Sequence, residues 1–159
     1  MVELAIDINA QNREALKWIL NYHELRKAYI SLTEEFSEIA ATAYTGMPHG
    51  SGVGNPTMHK SIKLMDLEYH KKWLIVIEMM ERTLSEKRQV YLEFRRRAEC
   101  LDNNAVGRPG WVGYVQARYA DWHERRYGQG YPPSKQTMSK WMNDIVDVTV
   151  RLAIRQGIL

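Results

Sequence analysis

Lys135, Gln136, Thr137, Ser139, Lys140 and Asn143 crowd into the first turns of a helix that opens at Ser134. They lie opposite its apolar side chains Met138, Trp141 or Met142, Ile145, Val148 and Leu152. Amide, ammonium and hydroxyl groups so placed suit the major groove of a duplex. Gln136 and Asn143 can pair with adenine edges, Lys135 and Lys140 with guanine or phosphate, and Thr137 and Ser139 with phosphate or thymine methyl groups. Arg95, Arg96, Arg97, Arg118, Arg125 and Arg126 on the two preceding helices supply guanidinium groups of the kind that clamp phosphates. An amphipathic terminal helix with an ordinary solvated face accounts for the same residues, and at this level both readings stand.

Other chemistries find less support. Histidines 23, 49, 59, 70 and 123 form no His-x-x-x-His pair and no His/Cys cluster, so neither a metal site nor a cofactor is expected. Glu34 and Glu35 adjoin on an acidic helix face, where solvation explains them. Cys100 follows Glu99 and has no basic partner defined in sequence to activate a thiolate. The glycine-rich segment from Gly46 to Thr57, GMPHGSGVGNPT, lacks the Gly-Lys-Ser/Thr ending of a phosphate loop and follows a helix where a strand is needed. With no nucleophile, base or metal set, the expectation is not an enzyme. Trp18, Trp122 and Trp141 fall on apolar stripes and read as core, while Trp111 is uncommitted.

The elements that must carry these residues are helices. Ala15, Trp18, Tyr22, Leu25, Tyr29, Leu32, Phe36 and Ile39 recur at alternating spacings of three and four, a heptad seam predicting one long helix between Ala10 and Tyr44. The Gly/Pro segment is a connector. A second long helix is predicted from Thr57 to Leu84, with Ile62, Met65, Tyr69, Val76, Met80 and Leu84 inward. The two together predict an antiparallel hairpin. Leu64, Leu67, Trp73, Leu74, Ile75, Ile77 and Met79 widen the second stripe beyond one seam, which implies either a third helix of the same chain or a dimer interface.

Beyond Ser85 come a third helix with Val90, Leu92, Phe94 and Ala98 for a core, a break at DNNAVGRPG, and a fourth helix from Trp111 to Tyr127 burying Val112, Val115, Tyr119 and Trp122. The turn GQGYPP and the last helix, from Ser134 to about Gln156 with Gly157 as its stop, complete the chain. The predicted fold class is all-α, a long hairpin followed by a helix-turn-helix module. Residues 1–84 form the assembly part and residues 85–159 the DNA-binding part.

Charge agrees with that division. Residues 1–84 carry 9 Lys and Arg against 11 Asp and Glu, net −2, and residues 85–159 carry 13 against 8, net +5. The second half is therefore the one suited to a polyanion. An acidic beginning and the lack of any long apolar run argue against a secretion signal or a membrane span, so the cytoplasm is expected.

GMPHGSGVGNPT, placed after a helix containing NYHELRK and before the helices of a helix-turn-helix, resembles the phage late transcription regulators of the RinA and ArpU type. Their DNA-reading element is similar to region 4 of bacterial sigma factors. The likeness runs from about Asn21 to Gly157. It implies a small DNA-binding activator, encoded by a phage or prophage, that switches on late or packaging genes in the host bacterial cytoplasm. The family's recognition-helix start falls on Ser134, Lys135, Gln136, Thr137, Ser139, Lys140 and Trp141. Here the turn before that helix is extended, which allows contacts to move to Tyr131, Arg125 or Arg126.

The expected partners are double-stranded DNA, a second copy in a homodimer, and host RNA polymerase. Two rivals remain: a small terminase-like subunit that recognises DNA for packaging, and a helical adaptor that binds RNA polymerase without touching DNA.

Overall fold

A computed structural model describes the backbone of residues 2–43, 56–102 and 110–159, and the side chains of residues 7–38, 64–101 and 110–159. Most of the Gly/Pro connector, residues 103–109, and the side chains of Ile39, His49, His59 and Ile62 lie outside these limits. The described residues form helices α1 (Val2–Leu20), α2 (Tyr22–Ala43), α3 (Pro56–Thr83), α4 (Glu86–Asp102), α5 (Gly110–Tyr127) and α6 (Lys135–Arg155), with no strand among them. None of the helices is long and apolar enough to cross a membrane.

The heptad seam is divided at Asn21. Ladder bonds cross the junction, from Asn21 N–H to the Lys17 carbonyl (3.0 Å) and from Leu25 N–H to the Asn21 carbonyl (2.9 Å). The Asn21 side-chain amide also donates to the Lys17 carbonyl (3.0 Å). Side-chain competition for a helix carbonyl perturbs the ladder locally. With no Gly or Pro there, the apolar pattern passes straight over it. Ala15, Trp18 and Tyr22 are buried, Leu25, Tyr29 and Phe36 are half-buried, and Leu32 is exposed. The seam is thus deepest around the junction, where Trp18 stacks on Trp73 of α3 at 5.6 Å.

The buried face of α3 consists of Trp73, Leu74, Val76, Ile77 and Met80, covered by α1 and α6. This differs from the expected inward positions, since Met65 and Tyr69 are exposed. Tyr69 instead lies edge-on to Trp18 and donates to the Glu14 carboxylate (3.2 Å). The surplus apolar width of α3 is explained in part by helices of the same chain, which take Trp73, Leu74 and Ile77. Leu64 and Ile75 stay exposed. Helix α2 packs on α3.

Helices α4 and α5 run antiparallel. The Lys87 ammonium sits 5.1 Å from the Tyr127 ring centroid at one end and the Arg95 guanidinium 4.5 Å from that of Trp111 at the other. Ser85 caps α4, its hydroxyl accepting from Arg88 N–H (3.4 Å). Gly128, at φ +77°, ends α5 by donating to the Glu124 carbonyl (2.8 Å). The following turn is fastened back onto α5. Gln116 donates to the carbonyl of the buried Pro133 (3.0 Å), and His123 Nδ1 donates to the Gln129 carbonyl.

Ser134 starts α6 as its sequence position predicts, accepting from Thr137 N–H (3.1 Å). The stop at Gly157 is a complete Schellman motif. Gly157 adopts φ +73°, Gly157 N–H bonds the Ile154 carbonyl and Ile158 N–H bonds the Ala153 carbonyl, both at 3.0 Å. Ile158 then packs against the core.

One apolar cluster includes side chains from all six helices and crosses the expected boundary at residue 84 without a break. Arg96 reinforces the crossing, since its Nε donates to the Ile19 carbonyl of α1 (2.8 Å).

Candidate nucleic-acid interface

Burial of Met138, Ile145, Thr149 and Ala153 fixes the rotation of α6 about its axis. The polar side chains of its first turns are thereby left outside. Lys135, Gln136, Ser139, Lys140 and Asn143 are exposed and line an open depression that ends at Asp144. Ser134 and Thr137 hold the end of the helix: their hydroxyls lie 2.9 Å apart, and Ser134 Oγ is committed to the cap. Beneath the exposed face, the Trp141 ring is wedged between Tyr91 of α4 (5.3 Å) and Tyr119 of α5 (5.6 Å). That ring contact ties α6 to α4 and α5, while the body of α6 packs against α1 and α3.

Two neighbours widen the polar face. On the α4 side Arg88 pairs with Asp144 at 3.1 Å. On the α1 side Asn9, Asn12 and Arg13, with Leu16, face Met142, Asn143 and Val146 across a groove. Asn143 belongs to both depressions, so the two are continuous.

Asp144 is neutralised by Arg88, and Asp147 by Arg151 (3.3 Å). Among the described residues Lys135, Lys140 and Arg13 carry no carboxylate partner. The face is therefore positive, with four amide side chains between its cations. Sequence reasoning missed Arg88, Arg13, Asn9 and Asn12. The spacing of 9, 12, 13 and 16 marks one helix face, but says nothing of which helix that face adjoins.

The arginines assigned to phosphates divide into several groups. Arg96 is a correction: it is only 2% exposed, with Nη1 paired to Glu81 (2.5 Å) and Glu93 (2.9 Å), and its guanidinium lies over the Tyr22 ring. It joins α1, α3 and α4 and cannot reach a phosphate. Arg95 is corrected in the same sense, being half-buried, paired with Glu99 (2.7 Å) and laid on Trp111. Arg97 is exposed beside Phe94, but lies nine residues beyond Arg88, about 13 Å along α4 at helical rise.

Arg118 and Arg125 are exposed on α5. Each stands two residues from a side chain that holds the turn, Gln116 or His123, and so about 160° around the helix from it. They belong to the flank away from the amino end of α6. Arg126 is exposed and bonded to Glu86 (3.3 Å). Tyr131, the alternative contact, is exposed with its ring 5.7 Å from His123.

Elsewhere the described residues contain no group of three His, Cys, Asp or Glu side chains placed to hold a metal. Tyr22, Tyr69, Tyr91 and Tyr119 have raised pKa values, each chiefly through burial. Tyr22 and Tyr91 are pushed up to about 12, Tyr22 also by its hydrogen bond to Glu78 (3.1 Å). These shifts hold the phenols neutral and equip none of them as an acid or base near neutrality. Cys100 is exposed and unpaired with another cysteine.

No family model, no curated protein and no solved structure matches this chain.

Proposed function

We propose that the protein binds double-stranded DNA through the first turns of α6 and acts as a transcription regulator, an activator of phage or prophage late or packaging genes. The observation that carries the DNA part is the uncovered row Lys135, Gln136, Ser139, Lys140 and Asn143, whose bordering carboxylate is already matched by Arg88. Lysines there supply phosphate attraction, and the amides supply base-edge hydrogen bonds. Trp141 braces the helix against α4 and α5, so the row is presented on a stiff support.

The regulatory part rests on the resemblance carried by GMPHGSGVGNPT. Seven residues, 128–134, separate α5 from α6, against roughly three or four in a tight helix-turn-helix. The bonds from Gln116 and His123 to the turn compensate for that length by anchoring it.

Assembly as a homodimer completes the reading. Ile30 and Leu32 on α2, and Leu64 and Met65 on α3, expose apolar side chains that a second copy would cover. Paired α6 helices would then favour a partly palindromic or repeated site.

Fluorescence anisotropy with promoter fragments at two salt concentrations tests the DNA reading. Affinity should fall steeply with salt, as expected when lysines displace condensed counterions. Binding that is absent, or indifferent to salt, refutes it in favour of an adaptor that meets RNA polymerase directly. Light scattering addresses assembly, with a dimer expected and a ring of many protomers pointing to a packaging subunit.

A further inference from the structure

We infer that α1 is a second DNA-contacting element: Arg13, flanked by Asn9 and Asn12, grips the phosphate backbone beside the groove that α6 enters. This rests on the proposed DNA-binding role of α6. Three observations carry it. Asn143 lies at once in the depression of the α6 row and in the groove shared with Asn9, Asn12 and Arg13, so one continuous surface joins the two helices. All three α1 side chains are exposed.

Among the described residues Arg13 makes one long bond, from Nε to the Asn9 carbonyl (3.3 Å), and its terminal nitrogens have no partner there. The neighbouring acid of α1, Glu14, is engaged on the α3 side, accepting from Trp18 of its own helix (3.0 Å) and from Tyr69 of α3 (3.2 Å). Asp7 stands six residues before Arg13, about 9 Å along the helix, outside the groove lining. A guanidinium on the same helix face as two side-chain amides matches phosphate oxygens, which accept from all three.

The two halves of the chain then act on one ligand, despite the acidic balance of the first. Contact with the backbone is independent of sequence, whereas the Gln136 and Asn143 amides of α6 read bases. Loss of the α1 contact should therefore weaken every duplex to the same degree.

The test uses the full chain and a mixed-sequence duplex of about 30 base pairs, titrated across a range of salt. Arg13→Gln should weaken binding by about three- to tenfold and reduce the slope of log affinity against log salt by about one. Asn9→Ala with Asn12→Ala should weaken it further at an unchanged melting temperature. Lys140→Gln serves as the control for α6. If Lys140→Gln weakens binding while Arg13→Gln alters neither affinity nor slope, α1 is not a contact and the role of α6 survives. If neither variant has an effect, both proposals fall together.

Discussion

Arg88 and Asp144 meet at 3.1 Å, joining α4 to the exposed face of α6 and cancelling the carboxylate that lines the same depression as Lys140. Both side chains are substantially exposed, so the pair contributes at most about 1 kcal/mol to folding. Its larger consequence is electrostatic. Asp144→Asn removes a negative charge from the candidate interface and frees Arg88. DNA affinity should rise by about two- to fivefold at low salt, with the melting temperature nearly unchanged. Weaker binding in this variant would show that Asp144 itself contacts a base or orients a contact residue.

Gln136→Ala combined with Lys140→Ala should reduce specific DNA binding at least tenfold, since both side chains are exposed and no core contact is removed. Trp141→Ala should behave differently. Loss of a ring packed on Tyr91 and Tyr119 is expected to cost about 3 kcal/mol of stability, and DNA binding would fail with the fold. Urea denaturation followed by circular dichroism separates the two outcomes. A stably folded Trp141→Ala protein that no longer binds DNA would make Trp141 a contact residue.

Arg96→Met leaves the Ile19 carbonyl without its donor and the Glu81 and Glu93 carboxylates without their shared cation. A loss of about 2 kcal/mol is expected, from the buried hydrogen bond to Ile19 and the charge-assisted bonds to two part-exposed carboxylates. Arg97→Ala, at the next position, should change stability by no more than about 0.5 kcal/mol. Equal sensitivity at both positions in chemical denaturation would contradict the structural role given to Arg96.

Alkaline pH should destabilise the fold through the tyrosines. Tyr22 and Tyr91 have folded pKa values of about 12 against 10.0 for the ordinary phenol. Unfolded chains therefore release these protons first as pH rises above 10, and the stabilisation is full below that point and lost towards 12. The melting temperature should decline across this window, and Tyr22→Phe should make the decline shallower. A melting temperature unaffected by raising the pH from 9 to 12 would contradict the burial of both phenols.

Helix ends were legible because their chemistry is local. Ser134 after two prolines, and Gly157 three residues past Ile154, the last apolar residue of α6, carry their signals within a few positions, and both act as read. The outward face of α6 followed equally from the spacing of its apolar side chains. By contrast, Met65 and Tyr69 keep the helical period yet lie outside the core, since periodicity marks a stripe without saying how much of its length a partner covers.

Arg95, Arg96 and Arg97 are adjacent in the chain, but successive helical residues point about 100° apart. Whether each meets water, a ring or a carboxylate depended on what stands opposite. For Arg96 that is Ile19, 77 residues away, and Glu81, 15 residues away. The juxtaposition of Asn9, Asn12 and Arg13 with Asn143 likewise arises only when the two ends of the chain pack side by side. Composition and spacing determined the helices and the polar character of α6. Tertiary packing decided which cations reach that face, because side-chain direction and long-range contact depend on the whole core.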